Sequence, residues 1–473
     1  MGQEIASDHF SVQDRQDYAV RLQQETALLR RQFEQGELSC AAPVAGFELE
    51  GWLVDADYRP SPCNTAFLQA LNNPLATNEL ARFNIELNTD PLPLQGTVLS
   101  RFEQNLLNLL DQAYTAAAQV DARLLLIGIL PSTVQEDFCL ATMTPSNRYH
   151  ALNAEILRAR HGYPLRMDID GRDSLRLKHD SLMLEAAATS FQIHMQLPAA
   201  TAHHFYNAAI IASGPVMAVS GNSPFLFGHA LWDETRIPLF EQAVNTGREQ
   251  PARVSFGTGF AQDSLIECFE ENQALYPVLL PMLQDSPLEQ FAHLRLHNGV
   301  IWRWNRPLIG FDADGKTHVR LEHRILPAGP SVPDMIANAA LFYGLTSYLG
   351  QQFCAGEPLP MAFAIARENF YNAALRGLEA RHMRWHRQEW RVQELMLNEL
   401  LPIAAEGLQQ LGIDEADIRH YLSIIAARIE TGQTGAVWQM RQYQANGGDL
   451  TGLLRSYDHH QRSHAPVHTW TLD

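Results

Sequence analysis

The sequence has few cysteines, and their arrangement argues against two common kinds of site. The five cysteines, Cys40, Cys63, Cys139, Cys268 and Cys354, are scattered along 473 residues without paired spacing. An odd number in such an arrangement is not typical of a disulfide framework or of a zinc site. We therefore expect a protein of a reducing compartment.

Long apolar runs and long basic runs are also missing. The first residues, MGQEIASDHF, lack the basic and apolar parts of a signal peptide, and the most apolar stretch, 208–227, is interrupted by Ser, Gly, Asn and Pro. Acidic residues outnumber basic ones 53 to 35, for a net charge of −18. Such a charge repels nucleic acids and anionic membranes. We expect a soluble, cytoplasmic protein with neither kind of partner.

A phosphate-binding loop is absent as well. No GxxxxGK[ST] motif occurs, and FGTGF at 256–260 is too short to replace it. If the protein binds ATP, the phosphates must therefore be held through metal ions.

The hydrophobic periodicity changes twice along the chain. Residues 1–43 form an N-terminal helical segment, and residues 44–357 mix strand-like and helical stretches in a catalytic domain. From 358 to 473 the strand signal vanishes, and apolar residues recur every three or four positions. We predict an α+β fold with a helical C-terminal region packed on the catalytic domain.

Acidic side chains alternate with apolar ones in two strand-like stretches. In FELE, Glu48 and Glu50 share one face, and in FNIELN, Glu86 stands between two asparagines. Glu79 precedes the second stretch by a few residues. A single strand of this kind is more typical of a solvated sheet face.

Two further stretches change that interpretation. TSFQIHMQL places Gln192 and His194 on one face, and RLEHR places Glu322 between Arg320 and Arg324. The four strands together predict a mainly antiparallel sheet whose concave polar face is a reaction chamber, with helices outside.

Converging carboxylates need cations between them. Carboxylate oxygens and an imidazole are suitable ligands for Mg²⁺ or Mn²⁺, and carboxylates without a metal would repel one another. Hard cations in such a cluster usually hold nucleotide phosphates, so we expect ATP as a co-substrate. Arg324 could bind the transferred phosphate or a substrate carboxylate. Arg148, after the loop TMTPSN, is a candidate for a substrate carboxylate, with an ordinary surface arginine as the alternative.

The ordered set of motifs resembles glutamate-cysteine ligase type 2, a family of carboxylate-amine ligases related in fold to glutamine synthetase. Seven stretches carry the resemblance: FELE (47–50), ELARFNIELNTDP (79–91), TSFQIHMQL (189–197), SGNSPFLFG (220–228), HNGVIWRWNR (297–306), RLEHR (320–324) and TGQTGAVWQMR (431–441).

The resemblance implies a curved sheet that binds ATP and Mg²⁺ on its inner face. The implied metal ligands are Glu48, Glu50, Glu79, Glu86, His194 and Glu322. It further implies that Arg324 lies beside the γ-phosphate and the activated carboxylate, and that Gln192, Arg306 and Asn222 lie near the substrates.

The reaction implied by the resemblance joins a carboxylate to an amine through an acyl phosphate, with L-glutamate and L-cysteine as the default pair. Two alternatives stay open: the same chemistry with another amine, or a nucleotide-binding regulatory protein without turnover. The expected partners are small amino acids and ATP, and the helical C-terminal region could support a homo-oligomer.

Overall fold

The structure, a computed structural model, describes residue 5 and residues 9–247 and 250–472. Strands occur along most of this length. In chain order they are β1 (Val44–Val54), β2 (Ala76–Asn78), β3 (Asn84–Asn88), β4 (Leu92–Pro93), β5 (Arg123–Leu125), β6 (Leu165–Asp170), β7 (Ser174–His179), β8 (Phe191–Leu197), β9 (Phe225–Leu226), β10 (His229–Ala230), β11 (Val254–Ser255), β12 (Trp302–Arg303), β13 (Asn305–Phe311), β14 (Thr317–His323), β15 (Met383–Trp385) and β16 (Gln388–Trp390).

One sheet of eight strands forms the frame of the protein. Its order is β13-β14-β8-β1-β3-β2, with β4 and β5 also paired to β1, and each of these pairings is antiparallel. The long strand β1 lies at its centre. The curved, mainly antiparallel sheet predicted from the sequence is confirmed.

Helices lie around this sheet and dominate the C-terminal part. They are α1 (Val12–Gln35), α2 (Asn64–Leu71), α3 (Val98–Gln119), α4 (Asn147–Ala159), α5 (Ala202–Ser220), α6 (Arg236–Ala243), α7 (Ile266–Leu275), α8 (Ala292–Asn298), α9 (Val332–Cys354), α10 (Phe363–Arg376), α11 (Val392–Leu395), α12 (Leu401–Gln410), α13 (Glu415–Thr431), α14 (Gly435–Ala445) and α15 (Leu450–Arg462).

The predicted N-terminal helix is present, and its ends follow from local chemistry. Ser11 and Asp14 form a capping box at the start of α1, and Gly36 ends the helix in a left-handed conformation. Residues 1–4 and 6–8 of the predicted 1–43 segment lie outside the described residues. The domain boundaries at 43/44 and 357/358 stay predictions.

Helices α3 and α9 cover the apolar face of the sheet. The ring of Phe47 lies 4.6 Å from that of Phe102 in α3 and 6.4 Å from that of Tyr343 in α9. His323, a polar residue on this face, stacks on Phe342 at 3.9 Å, and burial lowers its pKa to about 3. With one face closed by these contacts, the other face is left for polar side chains.

The prediction that strands are missing after residue 358 is wrong at one place. Strands β15 and β16 form a short antiparallel hairpin, and Met383 and Trp385 point into the core. Its turn residues, His386 and Arg387, both have positive φ without being Gly or Asn. Because hairpin turns are usually recognised by Asn-Gly or Asp-Gly, this sequence gives no such signal.

Two glycines allow α9 and α12 to cross with their backbones in contact. A Cβ atom on Gly407 would overlap the carbonyl oxygen of Gly344, and one on Gly344 would overlap the carbonyl oxygen of Ala404. The C-terminal helices are therefore packed directly onto a buried helix of the catalytic part. Among the described residues, no helix is long and apolar enough to cross a membrane.

Replacing Gly407 by alanine should lower stability by about 1–3 kcal/mol, because the added methyl group forces two backbones apart. A thermal melt followed by circular dichroism measures the loss as a lower Tm. Gly259→Ala is the matched control, since its Cβ would meet no atom within 4 Å. Equal Tm values for the two variants would contradict the close crossing.

Candidate active site

The register of the sheet brings the predicted polar residues onto one face. Across the strands, Arg306 of β13 is paired with Glu322 of β14, and Glu322 with His194 of β8. On the central strand, Glu48 faces Gln192 of β8. Directly paired residues of antiparallel strands point to the same side, so these side chains all lie on one face of the sheet, in two neighbouring rows.

A further set of paired residues lies at Glu50, two positions after Glu48 on β1. Glu50 is paired with Glu86 of β3, and Glu86 with Thr77 of β2. Glu79 follows directly after β2, where the chain turns back toward the sheet. Glu79, which the sequence did not assign to a strand, thus lies beside Glu50 and Glu86.

The side chains gather into two groups that could each hold a metal ion. In the first, Glu48, His194 and Glu322 each offer a ligand atom within 4.8 Å of the others. The Nε2 atom of His194 lies 3.1 Å from an oxygen of Glu48 and 3.9 Å from one of Glu322. This nitrogen is buried and makes no well-directed hydrogen bond, so a cation between the three side chains fits the donor set.

The second group contains only carboxylates: Glu50, Glu79 and Glu86. Burial raises the pKa of Glu86 to about 7, and the charge of Glu48 adds to the shift. Burial also raises the pKa of Glu79 well above its usual value, with Glu86 and Glu50 adding repulsion. A divalent cation would replace the protons that otherwise relieve this repulsion, so this group fits a metal as well.

Two arginines neutralise one member of the first group. Arg306 binds Glu322 through two hydrogen bonds of 2.8 and 2.9 Å, and Arg324 donates another of 2.8 Å. Burial alone would raise the pKa of Glu322, but Arg306 and Arg324 outweigh it and lower the pKa to about 2. Glu322 is therefore ionised and fixed in place over the whole physiological range.

Gln192 connects the two groups. Its amide nitrogen donates to Glu50 at 2.8 Å, and its amide oxygen accepts a short hydrogen bond from Arg324. The backbone N–H of Ser190 also donates to Glu50, at 2.7 Å. The orientation of Arg324 thus depends on both the acidic strand β1 and the ligand strand β14.

A cavity of about 350 Å³ opens over this face. It is lined by most of the residues predicted for the site, by Arg148 at the start of α4, and by several residues that the sequence did not single out. The new lining residues that carry charge are Glu185, Arg295 and Arg320.

These three were missed for different reasons. Arg320 lies on the polar face of RLEHR, and its Nε donates to His194 Nδ1 at 3.3 Å, so its position on the face was predicted but its role was not. Arg295 lies on the short helix α8. Glu185 lies on a 3₁₀-helix, Leu182–Ala187, where neither strand nor helix periodicity marks a face.

Asn222 was predicted to lie near the substrates, and the structure corrects this assignment. It is fully buried outside the cavity and donates to the oxygens of Ala328 and Tyr457, each at 2.8 Å. Its own oxygen accepts from Gln439 at 2.8 Å. Both N–H groups of the amide are used within the protein, and no surface of Asn222 is exposed to a substrate.

The two tryptophans of the WRW stretch, Trp302 and Trp304, differ in whether they reach the cavity. Trp304 is buried, and its Nε1 donates to Glu241 at 2.9 Å, as expected for a core residue. Trp302 is half-buried and lines the cavity.

Solved structures with this fold were found at low sequence identity. A glutamate–cysteine ligase from Francisella tularensis, in complex with AMP, is 12% identical over 89% of each chain, with a TM-score of 0.54. A bifunctional glutathione synthetase from Pasteurella multocida is 10% identical, with a TM-score of 0.55; the match covers 93% of this chain but only 55% of that one. These similarities show a common fold.

The family comparison covers nearly the whole chain. No curated protein sequence matches it at a significant level. The family model described as glutamate-cysteine ligase family 2 matches residues 44–456, which include both acidic groups and the arginines beside them. The chain therefore belongs to glutamate-cysteine ligase family 2, whose members are ATP-dependent carboxylate-amine ligases.

Proposed function

We propose that the protein joins the γ-carboxylate of L-glutamate to the amine of L-cysteine through an acyl phosphate, with Mg²⁺ or Mn²⁺, in the first part of glutathione biosynthesis. One observation carries the proposal: the carboxylates of both acidic groups and Arg324 line a single cavity. This arrangement suits the transfer of a phosphoryl group between two bound anions.

The metals would be held by the two acidic groups. Glu48, His194 and Glu322 would hold one ion, and the second group would hold another. Bound there, the ions neutralise negative charge on the triphosphate and on the phosphoryl group in transfer. The solved relative from Francisella tularensis, which contains AMP, supports a nucleotide in this fold.

Arg324 would hold the phosphoryl group. The γ-carboxylate oxygen forms a bond to the γ-phosphorus of ATP while the bond to the ADP oxygen breaks. Charge builds on the phosphoryl oxygens during this step, and a fixed guanidinium stabilises it. Burial opposes the charged form of Arg324, but Glu322 and Glu50 outweigh it and raise its pKa, so it stays cationic.

The remaining cations would bind substrate carboxylates. Arg148 begins α4, so the positive end of the helix dipole adds to its own charge. Arg295 and Arg320 line the same cavity. A glutamate substrate carries two carboxylates, one that is activated and one that must be bound. Three arginines in the same cavity are suitable partners for these carboxylates.

The coupling of ATP use to both substrates tests the function. We expect ADP and phosphate to be released only when glutamate and an amine are present together, because the acyl phosphate is shielded until the amine arrives. Product mass spectrometry with a mixture of amino acids identifies the amine. A folded protein that turns over no ATP with any acid and amine pair would refute a ligase.

Metal binding can be tested separately by thermal shift. Mn²⁺ should raise the Tm by a few degrees, and more at about pH 8 than at about pH 6, because protons compete with the metal for Glu86, whose pKa is about 7. Without metal, the pKa of Glu86 is higher in the folded protein than in the unfolded chain. The contribution of Glu86 to stability therefore falls as the pH rises from the unfolded pKa through about 7.

The variant Glu86→Gln should bind Mn²⁺ at least about tenfold more weakly, without loss of stability in metal-free buffer, since it removes a repulsive charge. Glu399→Gln, an exposed glutamate on the surface, is the control. An unchanged metal shift in Glu86→Gln would remove this residue from the ligand set.

A further inference from the structure

One carboxylate of the cavity belongs to neither acidic group. Six glutamates line the cavity. Two of them, Glu48 and Glu322, lie in the first group with His194, and the second group contains three more. Glu185 is the sixth, and the mechanism outlined so far gives it no task.

Glu185 is held on an element that packs beside α4. Its 3₁₀-helix, Leu182–Ala187, is fixed at its start by a hydrogen bond of 2.8 Å from the Leu182 N–H to Asn153 of α4. Arg148 and Tyr149, at the other end of α4, line the same cavity. A cation and an anion are thus presented to one volume by two neighbouring helices.

Among the residues that the structure describes, the Glu185 carboxylate has no partner of its own. It is half-buried, and neither a hydrogen bond nor an ion pair joins it to another described residue. Burial raises its pKa to about 8, with a further contribution from Glu50 that Arg324 only partly offsets. Keeping a carboxylate in such surroundings is unfavourable unless a ligand supplies donors.

We propose that Glu185 binds the ammonium group of the incoming amine substrate and accepts its proton. The inference rests on the proposed function and names a residue for the step after phosphoryl transfer. Because Arg148 faces the same cavity, the substrate class that suits the pair is an amine that also carries a carboxylate, that is, an amino acid.

The step balances as a proton transfer followed by substitution. The ammonium gives one proton to the Glu185 carboxylate and becomes a free amine. The nitrogen lone pair forms a bond to the acyl carbon, the bond from that carbon to the phosphate oxygen breaks, and inorganic phosphate leaves with the electron pair. The second proton on nitrogen passes to the released phosphate or to solvent. General-base assistance of this kind is typically worth about 10²–10⁴-fold in rate.

Hydroxylamine separates this step from the earlier one. It is largely uncharged near neutral pH, so it attacks an acyl phosphate without giving up an ammonium proton first. In Glu185→Gln, amine-dependent turnover should fall by about 100-fold or more, while formation of the glutamyl hydroxamate should stay within about threefold of wild type. Glu185→Asp should recover part of the lost turnover. Glu136→Gln, an exposed glutamate, is the control and should behave as wild type.

Each other outcome is decisive. An equal fall with amine and hydroxylamine would assign Glu185 to phosphoryl transfer or to folding, and no fall with either would leave it without a role. Both results overturn the inference. A urea denaturation midpoint at about pH 8 that is lower in Glu185→Gln than in wild type would indicate a structural residue. A wild-type protein that forms neither product would instead refute the proposed function.

Discussion

Repulsion between carboxylates on one face of the central sheet is the constraint on which the site depends. Burial and mutual charge raise the pKa values of Glu79 and Glu86. Such a cluster is tolerated only with protons or cations between its members. The proposed metal sites are therefore a consequence of how the sheet is built.

The two acidic groups meet this constraint differently. Arg306 and Arg324 hold Glu322 ionised, so one of the three members of the first group is oriented without any metal. In the second group, the pKa of Glu86 is raised to about 7, so the charge of this group changes with pH and with cation concentration. A nucleotide bound between the two groups would contact a first group that is already oriented and a second group that becomes ordered when the accompanying cation binds.

The strand residues of the site could be predicted because a period of two fixes which face each side chain takes. Glu48, Glu50 and Glu86 follow from that rule alone, and the antiparallel register then brings His194 and Glu322 alongside. Residues outside strands had no such rule. The 3₁₀-helix of Glu185 shows no periodic face, and the destination of the Asn222 loop depends on contacts more than a hundred residues away in sequence, at Ala328 and Gln439.

Asn222, which lies outside the cavity, connects the C-terminal helices to the segment that follows β14. Asn222 is hydrogen-bonded to Tyr457 of α15, and Gln461 of the same helix donates to the carbonyl oxygen of Pro330, in the segment that follows Arg324. Arg236 in turn holds the carbonyl oxygens of residues 324 and 325. A buried amide network thus fixes the backbone on which Arg324 stands. No described residue of the C-terminal helices lines the cavity. If Arg324 meets the phosphoryl group as proposed, these helices would provide the rigid support that such an arginine needs.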